Sequence, residues 1–127
     1  MPAAKVRRFG KTRPASRSRR VACMVVLSTV PDRKTAHLLA GRLLRERRAA
    51  CVNVVPGLTS YYWWKGKRTA SRELLLVIKT TRRLFSGLRR ALRAYHPYQT
   101  PEVLALEVNA GDADYLSWLY KELKDRP

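Results

Sequence analysis

From Val21 to Val30 the chain reads VACMVVLSTV, apolar at nearly every position, and Pro31-Asp32 punctuates the run. A short apolar run rich in β-branched residues and closed by a turn signal predicts a strand buried on both faces. Asp32 suits a helix N-cap, because its carboxylate can accept from the unpaired backbone N–H groups of the following turn. Ala36, Leu39, Ala40, Leu43 and Leu44 then recur at helical spacing, with Arg33, Arg42, Arg45 and Arg48 among the polar positions, which predicts an amphipathic helix. Residues 49–56 (AACVNVVP) return to strand, Tyr61 to Lys65 continue extended, Gly66-Lys67 begin a turn, and Arg72 to Thr80 run back through LLLVI. This is the pattern of a long hairpin. A second helix is expected after Thr81 as N-cap, with Leu84, Leu88, Ala91, Leu92 and Tyr95 on its apolar face. His96-Pro97 should end it, since the residue before a proline is driven out of the α region. Val103 to Val108 reads as the last strand, and Asp112 as the cap of a third helix with Tyr115, Leu116, Leu119, Tyr120 and Leu123 inward.

The order β-α-β-β-α-β plus a further helix predicts an α/β (α+β) fold of the ferredoxin-like kind, a four-stranded antiparallel sheet plus an extra C-terminal helix. Helices on one side of such a sheet should leave polar residues on the other. Instead Val21, Cys23, Val25 and Leu27 are matched by Ala22, Met24 and Val26, and Leu74 to Ile78 is apolar throughout. Both faces call for cover, so either another subunit or the third helix must lie over the second face, and an oligomer is the expectation.

A length of 127 residues, 46% of them apolar, fits one globular domain. No apolar run approaches the ~20 residues that cross a bilayer, and residues 1–20 lack the apolar core of a secretory signal. Cys23 and Cys51 both sit in apolar runs and are expected as buried thiols, pointing to the cytoplasm. The formal charge of +18 divides unevenly: residues 1–20 hold eight Lys/Arg and no acid, which leaves +10 on residues 21–127. The expected organisation is therefore a basic disordered tail, 1–20, and a folded domain, 21–127. A surface this basic also invites weak non-specific polyanion binding through residues 1–20. The alternative function is accordingly a nucleic-acid-binding module using the Arg-rich tail and the helix surfaces.

Enzyme signatures are missing: there is no P-loop, no G-x-G-x-x-G, no G-x-S-x-G and no C-x-x-C. The expectation is a non-enzyme with no catalytic residues. Tyr61-Tyr62-Trp63-Trp64 places four rings in a row on a strand, two on each face, suited to an interface. Base stacking is the other use of such rings, but the expected third strand is aliphatic, unlike the aromatic third strand of an RNA-recognition motif. His96-Pro97-Tyr98-Gln99-Thr100-Pro101-Glu102 forms a second cluster, in which His96 and Glu102 could bind a metal weakly if a third ligand converged.

Five collinear stretches resemble the CutA family across residues 23–122. They are Ser28 to Asp32 (STVPD), Arg47 to Gly57 (RRAACVNVVPG), Ser60 to Lys67 (SYYWWKGK) with Glu73 and Ile78 to Thr80, His96 to Glu102 (HPYQTPE), and Gly111 to Leu119 (GDADYLSWL). The resemblance implies a ferredoxin-like homotrimer whose hairpins bind neighbouring subunits, and an association with divalent metal tolerance, copper especially. A divalent ion, Cu or Zn, is the cofactor it suggests. The ligand cleft expected from it gathers Tyr62, Trp64, Lys79, Tyr98 and Glu102, with His96 and Glu102 toward a metal. The chain departs from the family where some members carry Cys in place of Ser28 or His in place of Tyr95, and where the hairpin is usually acidic but here reads Arg68 to Arg72.

Overall fold

A computed structural model describes residues 12–14 and 22–124. The elements in order are β1 (Thr12–Pro14), β2 (Cys23–Val30), α1 (Arg33–Arg45), β3 (Cys51–Trp64), β4 (Lys67–Thr81), α2 (Arg82–Tyr95), β5 (Leu104–Glu107), β6 (Ala110–Asp112) and α3 (Ala113–Leu123). The main sheet has the order β3-β4-β2-β5 with every neighbouring pair antiparallel, which is the ferredoxin-like arrangement expected from the pattern. A second, two-stranded sheet pairs β1 with β6. Most of the tail, and with it the expectation of disorder, lies outside the described residues.

The caps follow local chemistry. Asp32 accepts from Thr35 N–H at 2.8 Å at the start of α1, and Asp112 accepts from Asp114 and Tyr115 N–H at the start of α3. Thr81 caps α2 by backbone conformation, without a side-chain capping bond. At its other end His96 is already extended, with φ −81 and ψ 135, as its place before Pro97 requires.

The hairpin is longer and more continuous than the sequence pattern suggested. Strand β3 passes through Pro56-Gly57 by a shift in register between Val55 and Leu58, and Gly57 takes φ +78, a conformation that side chains resist. At the tip, Lys65 (φ 49) and Gly66 (φ 77) are the two central residues between paired Trp64 and Lys67. Positive φ at both matches the right-handed twist of the flanking strands.

Alternation along β2 and β4 sorts side chains to two faces. Val26, Val30, Leu74, Leu76 and Ile78 face α1 and α2 and form the main core with Ala36, Leu39, Leu43, Leu88 and Leu92. On the opposite face α3 covers only one end, where Leu116, Leu119 and Leu123 pack around Cys23. Two apolar positions expected inward are not: Leu44 is exposed, and Tyr95 lies at the surface beneath the Arg42 guanidinium, 4.3 Å from its ring centre.

Candidate functional site

The loop after α2 folds back against the end of β2. His96 is buried and held from both ring nitrogens. Tyr98 N–H donates to Nδ1 at 3.1 Å, and Nε2 lies 2.8 Å from Thr29 O. A backbone N–H can only donate and a carbonyl can only accept, so these partners fix the tautomer with the proton on Nε2.

The His96 and Tyr98 rings lie 4.8 Å apart, tilted by 52°. This places the Tyr98 hydroxyl 2.7 Å from Glu73 Oε2, to which it donates. Glu73 is buried although it is a carboxylate, and such a group requires a hydrogen-bond donor. Burial first, then the hydrogen bond and charge of Glu73, push the Tyr98 phenol well above its usual range, and Tyr62 and Asp32 add smaller contributions of the same sign. The cluster Glu73, His96 and Tyr98 thus sits at the junction of the hairpin and the sheet, with Tyr62 and Asp32 within electrostatic reach.

The other expected cleft residues stand elsewhere along the same ladder. Trp64 is opposite Lys67 at the tip, Leu58 is opposite Glu73, and Cys51 is opposite Lys79. At ~3.3 Å per residue, Lys67, Glu73 and Lys79 are three stations roughly 20 Å apart. Tyr62 bonds Ser71 through its hydroxyl at 2.7 Å. The Lys79 ammonium donates to Asn53 Oδ1 and lies 3.8 Å from Cys51 Sγ. Glu102 is exposed. One chain therefore brings together His96 and Tyr98 with Tyr62 nearby, and leaves Trp64 and Lys79 apart from them.

Among the described residues no three His, Cys, Asp or Glu side chains converge on a point where an ion could sit. His96 would have to release one of its two partners to coordinate. Ser28 Oγ is fully buried with no hydrogen-bond partner among the described residues, but a neutral hydroxyl alone is no divalent-metal site. The described residues of a single chain accordingly bring no such ligand set together. Sequence reasoning did not single out Glu73 as a site residue. Its signal was one acid abutting the aliphatic run Leu74 to Ile78, where an unpaired carboxylate is not tolerated.

Beside this cluster lies an uncovered apolar surface. Pairing of Val25 with Leu106 and Leu27 with Leu104 puts these residues on the face away from α1 and α2, where Leu104 and Leu106 are 57% and 53% exposed. Val55 on β3 continues it, and by register the hairpin extends it with Tyr62 and Trp64, which are 40% and 43% exposed, while Tyr61 and Trp63 stand on the opposite face of the hairpin. No helix among the described residues is long and apolar enough to cross a membrane.

Residues 24–122 match the family model described as CutA1 divalent ion tolerance protein. A relative from Escherichia coli O139:H28, named divalent-cation tolerance protein CutA, is 46% identical over 108 residues, which are 85% of this chain and 96% of that protein. Among solved structures, the divalent cation tolerance protein (Cut A1) of Thermus thermophilus is 47% identical with a TM-score of 0.77, covering 79% of this chain and 97% of its own. CutA1 of Oryza sativa is 42% identical with a TM-score of 0.80, covering 84% and 97%.

Proposed function

The chain belongs to the CutA1 divalent ion tolerance family, and on that premise we propose that it serves divalent-cation tolerance, copper above all, as a non-enzymatic homotrimer with ligand clefts between subunits. The observation that carries this reading is the open sheet face. Leu104, Leu106 and Val55 remain about half exposed and run on into the hairpin rings Tyr62 and Trp64 on the same face. A contiguous apolar surface of this kind calls for a partner, and a symmetric second copy is the commonest one. A neighbour's sheet offers the hairpin tip the area that Trp63 and Trp64 need.

In such an assembly the separated stations can meet. Tyr62 and Trp64 of one subunit can wall a cleft whose floor is Tyr98, Lys79 or Glu102 of another, which supplies a cation for an anionic ligand and one carboxylate toward a metal ion. Metal binding in this reading is weak. His96 is committed to Tyr98 and Thr29, Glu102 is a single carboxylate, and the strongly positive chain repels cations. The unpaired thiols Cys23 and Cys51 support a cytoplasmic, reducing location.

The test is sedimentation equilibrium followed by calorimetry with Cu²⁺ on the assembled protein. A trimer with weak Cu²⁺ binding that drops further in His96→Ala is the expected result. A stable monomer at micromolar concentration refutes the assembly, and tight binding abolished by thiol alkylation moves the metal to the cysteines.

A further inference from the structure

The helical layer opposite the open sheet face has a chemistry that cation tolerance does not use. Between residues 33–48 and 82–95 there are six basic residues on α1 and its exit and five on α2, against the single acid Glu46. The concentration is greatest on α2. Arg82, Arg83, Arg89, Arg90 and Arg93 are all exposed, separated by the exposed Ser86, and the helix contains no acidic residue. At 3.6 residues per turn these positions fall within an arc of about 120°, and at 1.5 Å per residue they run for about 16 Å along the axis.

This arrangement works against the helix that carries it. Arg89 and Arg93 are like charges at i,i+4, and Arg90 and Arg93 at i,i+3, each pair unfavourable. Arg82 and Arg83 occupy the first turn, where the helix dipole favours anions. Ion pairing offsets part of this at the N-terminal end, where Arg82 meets Glu107. Further along, Arg90 meets the Ser86 hydroxyl at 2.8 Å. Among the described residues Arg89, Arg90 and Arg93 have no carboxylate partner. By contrast α3 mixes Asp114, Lys121 and Glu122.

We propose that the outward face of α2 binds the phosphate backbone of double-stranded nucleic acid without regard to sequence. Guanidinium groups fit phosphates in bidentate geometry. A row about 16 Å long matches several successive phosphates of one strand, at ~3.4 Å of axis each. An anionic membrane fits less well, because an interfacial helix needs apolar residues to insert and this face has none. A single strand fits less well because it calls for stacking rings, and the one exposed ring of α2, Tyr95, is already covered by Arg42. Neutralisation by phosphates removes the self-repulsion of the ridge. The proposal does not depend on the cleft or on the trimer.

The experiment measures binding of the full chain to a labelled 24-base-pair duplex of arbitrary sequence, by fluorescence anisotropy between 50 and 200 mM NaCl. The triple variant Arg89→Gln/Arg90→Gln/Arg93→Gln should flatten the slope of log affinity against log salt by about 2.7, at ~0.9 per phosphate, and weaken binding about a hundredfold at 0.1 M salt. The same three positions changed to Lys should keep the slope. The single Arg89→Gln, too mild to unfold the helix, should give about a third of the flattening. An unchanged slope in the Gln variants overturns the proposal, as does loss of binding only when Arg17, Arg19 and Arg20 are changed. Stronger binding to phosphatidylserine vesicles than to the duplex overturns it in favour of a membrane.

Discussion

Val26, Leu76 and Ile78 on one face of the sheet are wholly buried, whereas Leu104, Leu106 and Val55 on the other keep about half of their surface in water. The two faces are built from the same kinds of side chain on the same sheet. They differ in what lies above them. On the first face α1 and α2 supply a full apolar layer, and their own outer surfaces are arginine-rich. On the second, α3 is short and reaches only the Cys23 end. The contrast separates stability within one chain from association between chains. The first face holds the fold, and the second, in the proposed function, holds the assembly.

That division can be broken from either side. The largest effect should come from Leu76→Ala, which empties a fully buried position and should cost ~2–5 kcal/mol of unfolding free energy in urea denaturation. Next, Leu106→Asp on the open face should dissociate the oligomer in sedimentation, while changing the unfolding of the isolated chain by no more than about half a kcal/mol. Trp64→Ala should weaken assembly in the same way, and Arg45→Ala on the helical layer should leave it intact. If Leu106→Asp stayed assembled, the open face would have to be covered by something other than a second copy.

The helices and their caps were legible from the sequence because they are local: Asp32 and Asp112 act within three residues of themselves. The continuity of β3 was not, because a proline and a glycine in series normally stop a strand, and only pairing with β4 carries the chain across the bulge. Tyr95 was misplaced for a related reason. Its spacing fits the buried stripe of α2, but a surface arginine from α1 serves as its cover, and such a contact between helices leaves no periodic trace. The cleft residues were expected to meet between subunits, and their spread along one hairpin leaves any meeting to a second copy. Once Trp64 sits opposite Lys67, Lys79 must lie twelve residues from the tip, roughly 40 Å away. Glu73, the residue that organises the cluster, was visible only as an acid where an aliphatic belonged.

The cluster and the open face can also be separated by a smaller change. Tyr98→Phe removes the hydroxyl that satisfies Glu73 but keeps the ring against His96. Leaving a buried carboxylate without its donor should cost about 1–3 kcal/mol and should not alter the oligomer. A change in assembly with no loss of stability would mean that the Tyr98 hydroxyl holds the neighbouring subunit rather than Glu73.

The smallest effect is in the pH dependence, and it distinguishes the two ends of the open face. Burial raises the Cys23 thiol, partly opposed by the Lys79 charge, and burial raises the Tyr115 phenol with help from the nearby cysteines. At the other end, burial and then Glu73 raise Tyr98. Each of these groups is neutral when protonated, so a folded pKa above the unfolded one means that the folded state holds its proton more tightly. The stability each contributes is fully present below its unfolded pKa, ~8.5 for a thiol and ~10 for a phenol, and is lost as pH rises through the folded value. Unfolding free energy should therefore be level near neutrality, begin to fall near pH 9 as Cys23 titrates in the unfolded chain, and fall more steeply beyond pH 10. In Tyr98→Phe the fall near pH 9 should remain and the steeper part should be shallower. In Cys23→Ala the onset should move up toward pH 10. Denaturation curves at pH 8, 9.5 and 10.5 for the three proteins check this, and an identical alkaline slope in wild type and Tyr98→Phe would mean that the Tyr98 proton is not held by Glu73.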